Sequence, residues 1–197
     1  MRLFITAGSV RVLRWGQRAL FALAASMLMY CGYVLVDTWR FQRTERAQLD
    51  TILTIPISSK NALPPARSGG LIGRLDIASL GLSAMLMEGT TAATLRHAVG
   101  HVGGTALPGQ PGNVGISGHR DTFFRPLRKI HTNDIITLTT LTGEFRYRVT
   151  STKIVRPSDV SVLDPGVREI LTLITCYPFY FVGPAPERFI VRAERIA

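Results

Sequence analysis

The sequence has few acidic residues: 13 aspartates and glutamates stand against 23 lysines and arginines in a chain of 197 residues. The net charge of +10 would suit a nucleic-acid partner, but it comes with no basic helix and no aromatic RNA-binding strand motif. Internal repeats are absent as well. The charge instead indicates a membrane-proximal basic tail and a mildly basic domain, and no nucleic acid is expected as a partner.

Charged residues are missing altogether from the stretch between Ala19 and Val36. A membrane-spanning helix needs roughly 17–25 apolar residues, and this stretch is long enough. Trp15 and Trp39 bracket it, as interfacial aromatic residues often do. A cleaved signal peptide is the alternative, but residues 37–39 offer no small-residue cleavage site. We therefore expect one uncleaved transmembrane anchor over residues 19–36.

The regions flanking this anchor predict its orientation and the domain boundaries. Residues 1–18 carry four arginines and no acid, which places this basic tail in the cytoplasm and the rest of the chain outside. Residues 37–70 are predicted to form a helical stalk, from Phe41 to Leu53, and then a linker rich in proline, serine and glycine. Residues 71–197 remain for one folded domain.

Cysteine is also scarce, with only Cys31 and Cys176 present. Cys31 falls in the predicted anchor and cannot reach a residue in a domain beyond the linker. Cys176 is then an unpaired thiol in an oxidising exterior, where paired cysteines are usual. Such a thiol is a candidate for reactivity, whereas a buried, inert cysteine packed as a small hydrophobic residue is the alternative.

The pattern of the domain is that of short strands. The clearest hairpin joins two alternating segments through Thr142-Gly143, and a short helix is expected from Thr90 to His97. Strands are predicted at 71–77, 82–87, 113–119, 134–141, 144–155, 169–176 and 188–196. Seven or eight short strands with few helices predict an all-β barrel or sandwich.

Three chemically distinctive residues, His119, Cys176 and Arg188, each stand at the end of a predicted strand. A thiolate that attacks a carbonyl, a histidine that moves protons and a cation that steadies the oxyanion together make a cysteine acyl-transfer site. Asp121 could orient the histidine or simply cap a loop. No metal site is expected, because glycines interrupt the helix on which His97 and His101 would have to meet.

Three separated elements of the chain resemble the sortases, the surface transpeptidases of bacterial cell envelopes. Thr172-Leu173-Ile174-Thr175-Cys176 matches the TLxTC signature of that family. Arg188, twelve residues later, falls where sortases keep their catalytic arginine, and residues 118–122 resemble the segment around the catalytic histidine. The resemblance covers residues 71–197, which are therefore identified as a sortase catalytic domain most similar to class D.

The resemblance implies a fold and a role for each site residue. The fold would be all-β, a closed eight-stranded β-barrel with short helices, preceded by one N-terminal transmembrane helix. Cys176 would be the nucleophile and His119 the general acid and base. Arg188 would bind the signal backbone and stabilise the oxyanion, and Thr175 is a weaker candidate for substrate binding.

The resemblance also implies a reaction and its partners. The enzyme would cleave an LPxTG- or LPxTA-like sorting signal of a surface protein after the threonine and hold the acyl group as a thioester. It would then transfer that group to an amine of a peptidoglycan precursor or of another surface protein, such as a pilin-like protein. No organic cofactor or metal is implied, and calcium dependence, found in some sortases, stays open.

Other classes of protein fit the residues less well. A papain-like protease places its cysteine before its histidine, whereas His119 precedes Cys176 here. An L,D-transpeptidase has a Ser-His-Gly-Cys type run, whereas Ile174 and Thr175 precede this cysteine. A non-catalytic, membrane-tethered β-domain that binds envelope partners is the alternative from another class, and the co-occurrence of the three site residues argues against it.

Overall fold

The computed structural model describes residues 7–53 and 70–196. The predicted linker, residues 56–70, lies outside these ranges except for Gly70, and so do the first six residues of the basic tail. Helix α1 runs over Ala7–Leu53. The chain divides into two compact units, Met1–Arg40 and Phe41–Ala197. The domain boundaries drawn from the sequence stay predictions.

In the first unit, helix α1 is apolar and its large side chains are exposed. Leu20, Phe21 and Leu23 each expose about two thirds of their surface, from 67% to 68%. By length and composition, α1 is the one helix in the described ranges that could cross a membrane. The expected apolar N-terminal helix is therefore confirmed.

The second unit is built from eight strands and a short helix. Helix α2 spans Ala92–His97, and the hydroxyl of Thr91 caps it by accepting a hydrogen bond from the Thr94 amide. The strands are β1 Leu71–Ile77, β2 Leu82–Glu88, β3 Val99–His101, β4 Asn113–Ser117, β5 Ile135–Thr140, β6 Gly143–Val155, β7 Ile170–Tyr177 and β8 Glu187–Ile196. Three 3-10 helices, Ala78–Leu80, Arg125–Lys129 and Val160–Leu163, lie in connections.

The strands form a closed barrel in the order β1-β2-β3-β4-β7-β8-β6-β5. The pairs β2·β3 and β4·β7 are parallel, and the other six pairs are antiparallel. Closure confirms the eight-stranded all-β barrel. Strand β7 lies between β4 and β8. Strand β4 ends just before the candidate histidine, His119, and β8 begins beside the candidate arginine, Arg188.

The barrel interior is filled by side chains that alternate along each strand. On β7, Leu171 and Leu173 are fully buried in the core, and on β6 Tyr147 and Val149 join them. The phenol of Tyr147 donates to Glu169 Oε1 at 2.6 Å. The pKa of Tyr147 lies well above its usual range. Burial of the side chain is the main cause and this hydrogen bond is the second, so the tyrosine remains a neutral donor.

The structure differs from the sequence prediction at two strands. Strand β3 was not predicted; it has three residues, too few to show an alternating pattern. It fits because Gly100 lies so close to Gly89 that a Cβ would stand 2.3 Å from the Gly89 carbonyl oxygen. Strand β4 ends at Ser117 rather than at His119, because the chain turns there and Phe124 N donates to His119 O.

The C-terminal part of α1, from Phe41 onward, packs against the barrel. Leu49 is fully buried in a small apolar cluster with Met85 and Ala98. The amide of Gln42 accepts from Met85 N at 3.1 Å and donates to His97 O at 2.6 Å. Met85 precedes the β2 residues that pair with β3. The side chain of Gln42 therefore accepts a hydrogen bond from a β2 backbone N–H that has no partner on β3.

Replacing Leu49 with alanine should destabilise the second unit by about 2–3 kcal/mol, because it leaves a cavity beneath the helix. The free energy of unfolding of the full chain, measured by denaturant titration in a non-ionic detergent, tests this. The exposed neighbour Gln48, changed to alanine, is the matched control and should shift stability by less than about 0.5 kcal/mol. Equal effects of the two substitutions would contradict the packing of this helix segment.

Candidate active site

Cys176 lies on the outward face of β7, near the end of the strand. Leu171 and Leu173 point into the core, so the alternation of the strand turns Cys176 outward, where it is partly exposed and in the reduced form. Its direct partner across the antiparallel β7·β8 pair is Arg188. Residues opposite each other in such a pair have Cβ atoms about 4.5–5.5 Å apart, so the thiol and the arginine side chain start from adjacent points.

The guanidinium of Arg188 is bound to two backbone carbonyls, one in the β7–β8 loop and one at the first residue of β8. Its Nη1 donates to Glu187 O at 2.9 Å and to Ala185 O at 3.2 Å. A guanidinium has five N–H donors, and within the described ranges this one makes no other hydrogen bond. Donors of Arg188 therefore remain for a ligand beside Cys176.

His119 follows β4, the strand on the other side of β7. Gly118 N donates to Ile174 O at 3.1 Å, and the hydroxyl of Thr175 donates to Gly118 O at 2.8 Å. These two bonds hold the residue before His119 against the two residues before Cys176. His119 itself is exposed. The structure thus brings His119, Cys176 and Arg188, all predicted from the sequence, to neighbouring strand ends.

Gly118 permits this approach of β4 to the turn that follows it. A Cβ at this position would lie 2.8 Å from Cδ2 of Phe124, a side chain that is fully buried in the core. Only glycine leaves the ring room to pack directly under the backbone that carries His119.

Thr175 is 2% exposed, and its hydroxyl is occupied by the Gly118 carbonyl. This contact joins the ends of β4 and β7. The role of Thr175 in substrate binding, expected from the sequence resemblance, is not tested by the structure and stays a prediction.

Arg120 is a site residue that sequence reasoning did not single out. Although it is only 6% exposed, its Nη1 donates to Pro178 O at 2.6 Å, just after β7. The guanidinium also binds both oxygens of Asp121, at 3.0 Å and 3.1 Å. The Asp121 bond raises the pKa of Arg120, with a smaller contribution from the Cys176 thiolate. A fixed cation therefore stands near the thiol in addition to Arg188.

Asp121 binds Arg120, and no hydrogen bond from it to His119 exists in the described ranges. The Arg120 hydrogen bond is the main reason that the pKa of Asp121 lies below its usual range; the charges of Arg125 and His119 act in the same direction. Asp121 is therefore an ionised carboxylate whose charge interacts with that of His119 without a hydrogen bond between them.

A groove lies on the outer face of β8 beside this site. It has a volume of about 160 Å³ and is lined by Ser151, Lys153, Ser161, Val162, Ile190 and Arg192. One wall of this groove is the β6–β7 connection, which contains the 3-10 helix Val160–Leu163. The buried side chain of Asn113 holds this connection in place. Asn113 Nδ2 donates to Val162 O at 3.0 Å and to Asp164 O at 3.3 Å. Its Oδ1 accepts from the Thr172 hydroxyl at 2.7 Å.

The histidines that were considered as metal ligands have other partners. His101 is buried, with Nδ1 2.9 Å from Glu88 Oε2 and Nε2 3.0 Å from Ala106 O. The His97 ring packs against Phe41, with 5.2 Å between ring centroids. Across residues 7–53 and 70–196, no group of three or more His, Cys, Asp or Glu side chains could hold a metal ion.

Comparison with known proteins agrees with this geometry. The sortase-domain family model matches residues 75–196. The chain is 33% identical over 193 residues to sortase D of Bacillus subtilis (strain 168), which covers 90% of this chain and 96% of that protein. The solved structure of a sortase D transpeptidase from Clostridium perfringens superposes with a TM-score of 0.73 at 29% identity, covering 80% of this chain and 99% of that one.

A further solved structure, a sortase C of Clostridium perfringens with the C-terminal cell wall sorting motif, shares the fold. Its TM-score is 0.69 at 24% identity, with 79% of this chain and 98% of that one covered. The family model spans most of the barrel, and the alignment with a sortase D extends over nearly all of both proteins. This chain therefore belongs to the sortase family of cysteine transpeptidases and is most like its class D members.

Proposed function

We propose that this chain is a membrane-anchored sortase that cleaves an LPxTG- or LPxTA-like sorting signal after its threonine and transfers the acyl group to an amine. The observation that carries the proposal is the direct cross-strand pairing of Cys176 with Arg188. The hydrogen bond from Gly118 to Ile174, which sets His119 on the other side of β7, completes the arrangement.

In the first half-reaction, the thiolate of Cys176 attacks the carbonyl carbon of the threonine in the signal. A C–S bond forms while the carbonyl electrons move to oxygen. Collapse of this intermediate breaks the C–N bond, and His119 supplies the proton that the departing amine takes. The product is a thioester on Cys176 and a free amine.

In the second half-reaction, an acceptor amine attacks the thioester carbonyl and gives its proton to His119. The C–S bond then breaks, the thiolate of Cys176 is restored and a new amide bond remains. Water in place of the amine would give hydrolysis. One histidine thus serves as acid in the first step and as base in the second.

The two arginines have different tasks in this proposal. Arg188 turns its remaining N–H donors toward the oxyanion and toward backbone carbonyls of the bound signal. Arg120 is a positioning residue that fixes the start of the β7–β8 connection through Pro178 O.

Membership of the sortase family supports the proposed donor and acceptor. The sortase C that shares this fold was solved with a C-terminal cell wall sorting motif, which supports a donor of that kind. Surface proteins that bear such a signal are therefore the proposed donors. A peptidoglycan precursor or a pilin-like surface protein is the proposed source of the acceptor amine.

The proposed location is the cell membrane, crossed once by α1 with the N-terminus inside and the catalytic domain on the extracytoplasmic face. The apolar, exposed side chains of α1 support an anchor. The four arginines of residues 1–18 support the orientation.

Replacing Cys176 with alanine should abolish the thioester and lower product formation by about a thousandfold or more, because no other group can hold the acyl chain. Mass spectrometry of the full chain, incubated with sorting-signal peptides and an amine, measures both species. Cys31→Ala is the matched control, since it removes the other cysteine, and it should retain the adduct. An adduct that persists in Cys176→Ala would rule out this nucleophile.

Replacing Arg188 with lysine should lower kcat/KM for transpeptidation by about a hundredfold, the order of magnitude for the loss of an oxyanion donor. Lysine keeps the charge but lacks the planar fork that binds two groups at once. Arg146, exposed on the neighbouring strand β6, provides the control as Arg146→Lys, which should stay near wild-type kcat/KM. Similar rates for the two variants would remove Arg188 from the mechanism.

A further inference from the structure

A basic cleft begins where β7 ends. One part, of about 510 Å³, is lined by Tyr177, Pro178, Phe179, Tyr180, Phe189, Ile154, Arg128 and Lys129. A second part, of about 410 Å³, lies between the 3-10 helices Ala78–Leu80 and Arg125–Lys129. The two parts share Arg128 and Lys129, so they adjoin one another. The first part starts at the residue after Cys176.

The cations of this cleft are Arg125, Arg128 and Lys129, and all three are exposed. Within the described ranges, none of them forms a direct ion pair with an acidic side chain. Arg128 is held in place by Tyr180, to whose hydroxyl it donates at 2.8 Å and over whose ring its guanidinium lies, 5.5 Å from the centroid. The cleft therefore carries three cations without a direct ion pair, and Asp121 is the acidic group whose charge interacts with one of them, Arg125.

The cleft is tied to the catalytic histidine by one short, hydrogen-bonded segment. Thr122 N donates to His119 O, and Arg125 N donates to Thr122 O. The charge of Arg125 reaches Asp121, whose pKa it helps to lower. The hydroxyl-bearing residues Ser79 and Thr122 also line the cleft. A ligand in the cleft is thus bound by the same segment that carries the proton-transfer group.

Acyl transfer needs two binding surfaces around the nucleophile, because the donor stays on Cys176 while the acceptor approaches. The groove beneath the β6–β7 connection lies along the outer face of β8 and suits the donor. The basic cleft lies beyond the strand end and is separate from that groove: the two share no lining residue.

We infer that the basic cleft is the acceptor site and that it selects an amine whose own molecule carries carboxylate groups. The inference rests on the proposed transfer reaction and adds the acceptor's chemistry to it. Carboxylates match the guanidinium groups of Arg125 and Arg128 in geometry and the ammonium of Lys129 in charge. An uncharged amine would reach the thioester without these contacts.

The test compares two acceptor peptides that share an amine and differ only in charge, Gly-Gly-Glu-Glu amide and Gly-Gly-Gln-Gln amide. The full chain in a non-ionic detergent receives an LPxTG- or LPxTA-type donor whose leaving group is uncharged. The readout is the ratio of kcat/KM values for the two ligated products, which cancels any common change in thioester formation. The wild-type protein should favour the acidic acceptor by about three- to tenfold at low salt.

Charge reversal should invert this preference. In Arg125→Glu combined with Lys129→Glu, the acidic acceptor should become the poorer one, while Arg148→Glu, an exposed change on β6, should keep the wild-type ratio. The milder Lys129→Gln should reduce the ratio without reversing it. Raising the salt from about 0.05 M to about 0.5 M should bring the wild-type ratio toward one, because exposed charges are screened.

Two kinds of failure are separable. A Cys176 thioester with equal use of both acceptors by the wild-type protein, or a ratio that the cleft variants leave unchanged, overturns the acceptor site alone. Absence of any Cys176 thioester with the whole donor panel overturns the proposed function and this inference together. The wild-type ratio needs no variant, so a variant that fails to fold does not weaken the test.

Discussion

The register of β7 is the constraint on which the site depends. Leu171 and Leu173 fill the barrel core, and the same alternation turns Cys176 outward toward Arg188. A shift of one residue would move the thiol into the core and the leucines into solvent. On the outer face, the buried bond between Thr172 and Asn113 fixes the same register with a polar contact that only one alignment can satisfy.

The loops around the site depend on that register in turn. Asn113 also holds the carbonyls of Val162 and Asp164, so the connection that forms the wall of the groove on β8 is hydrogen-bonded to strand β4. Gly115 lets this wall come close: a Cβ there would stand 2.7 Å from Leu163 Cδ2. The pairing of β7, the position of Cys176 and the wall of the groove are therefore fixed by one connected set of contacts.

Much of this arrangement could be predicted from the sequence, because it follows from local alternation and turn chemistry. The β5–β6 hairpin, the two faces of β7 and the short helix α2 are of this kind. Strand β3 could not be predicted, since three residues show no period. The packing of Leu49 and the two contacts of Arg120 join segments far apart in the chain, and no local pattern records them.

Closure of the barrel also limits how the protein can recognise a polypeptide. A sheet with an open edge can capture an extended peptide as an extra strand, reading mainly its backbone. Here the β-ladder returns to its own first strand, so a guest chain finds no edge to extend. In the proposed reaction, recognition of the signal therefore falls to side chains that line the groove, such as Ile190 and Arg192, and to the neighbouring loops. Those positions can be exchanged without breaking a ladder hydrogen bond, so one rigid scaffold can acquire new specificities while its fold stays intact.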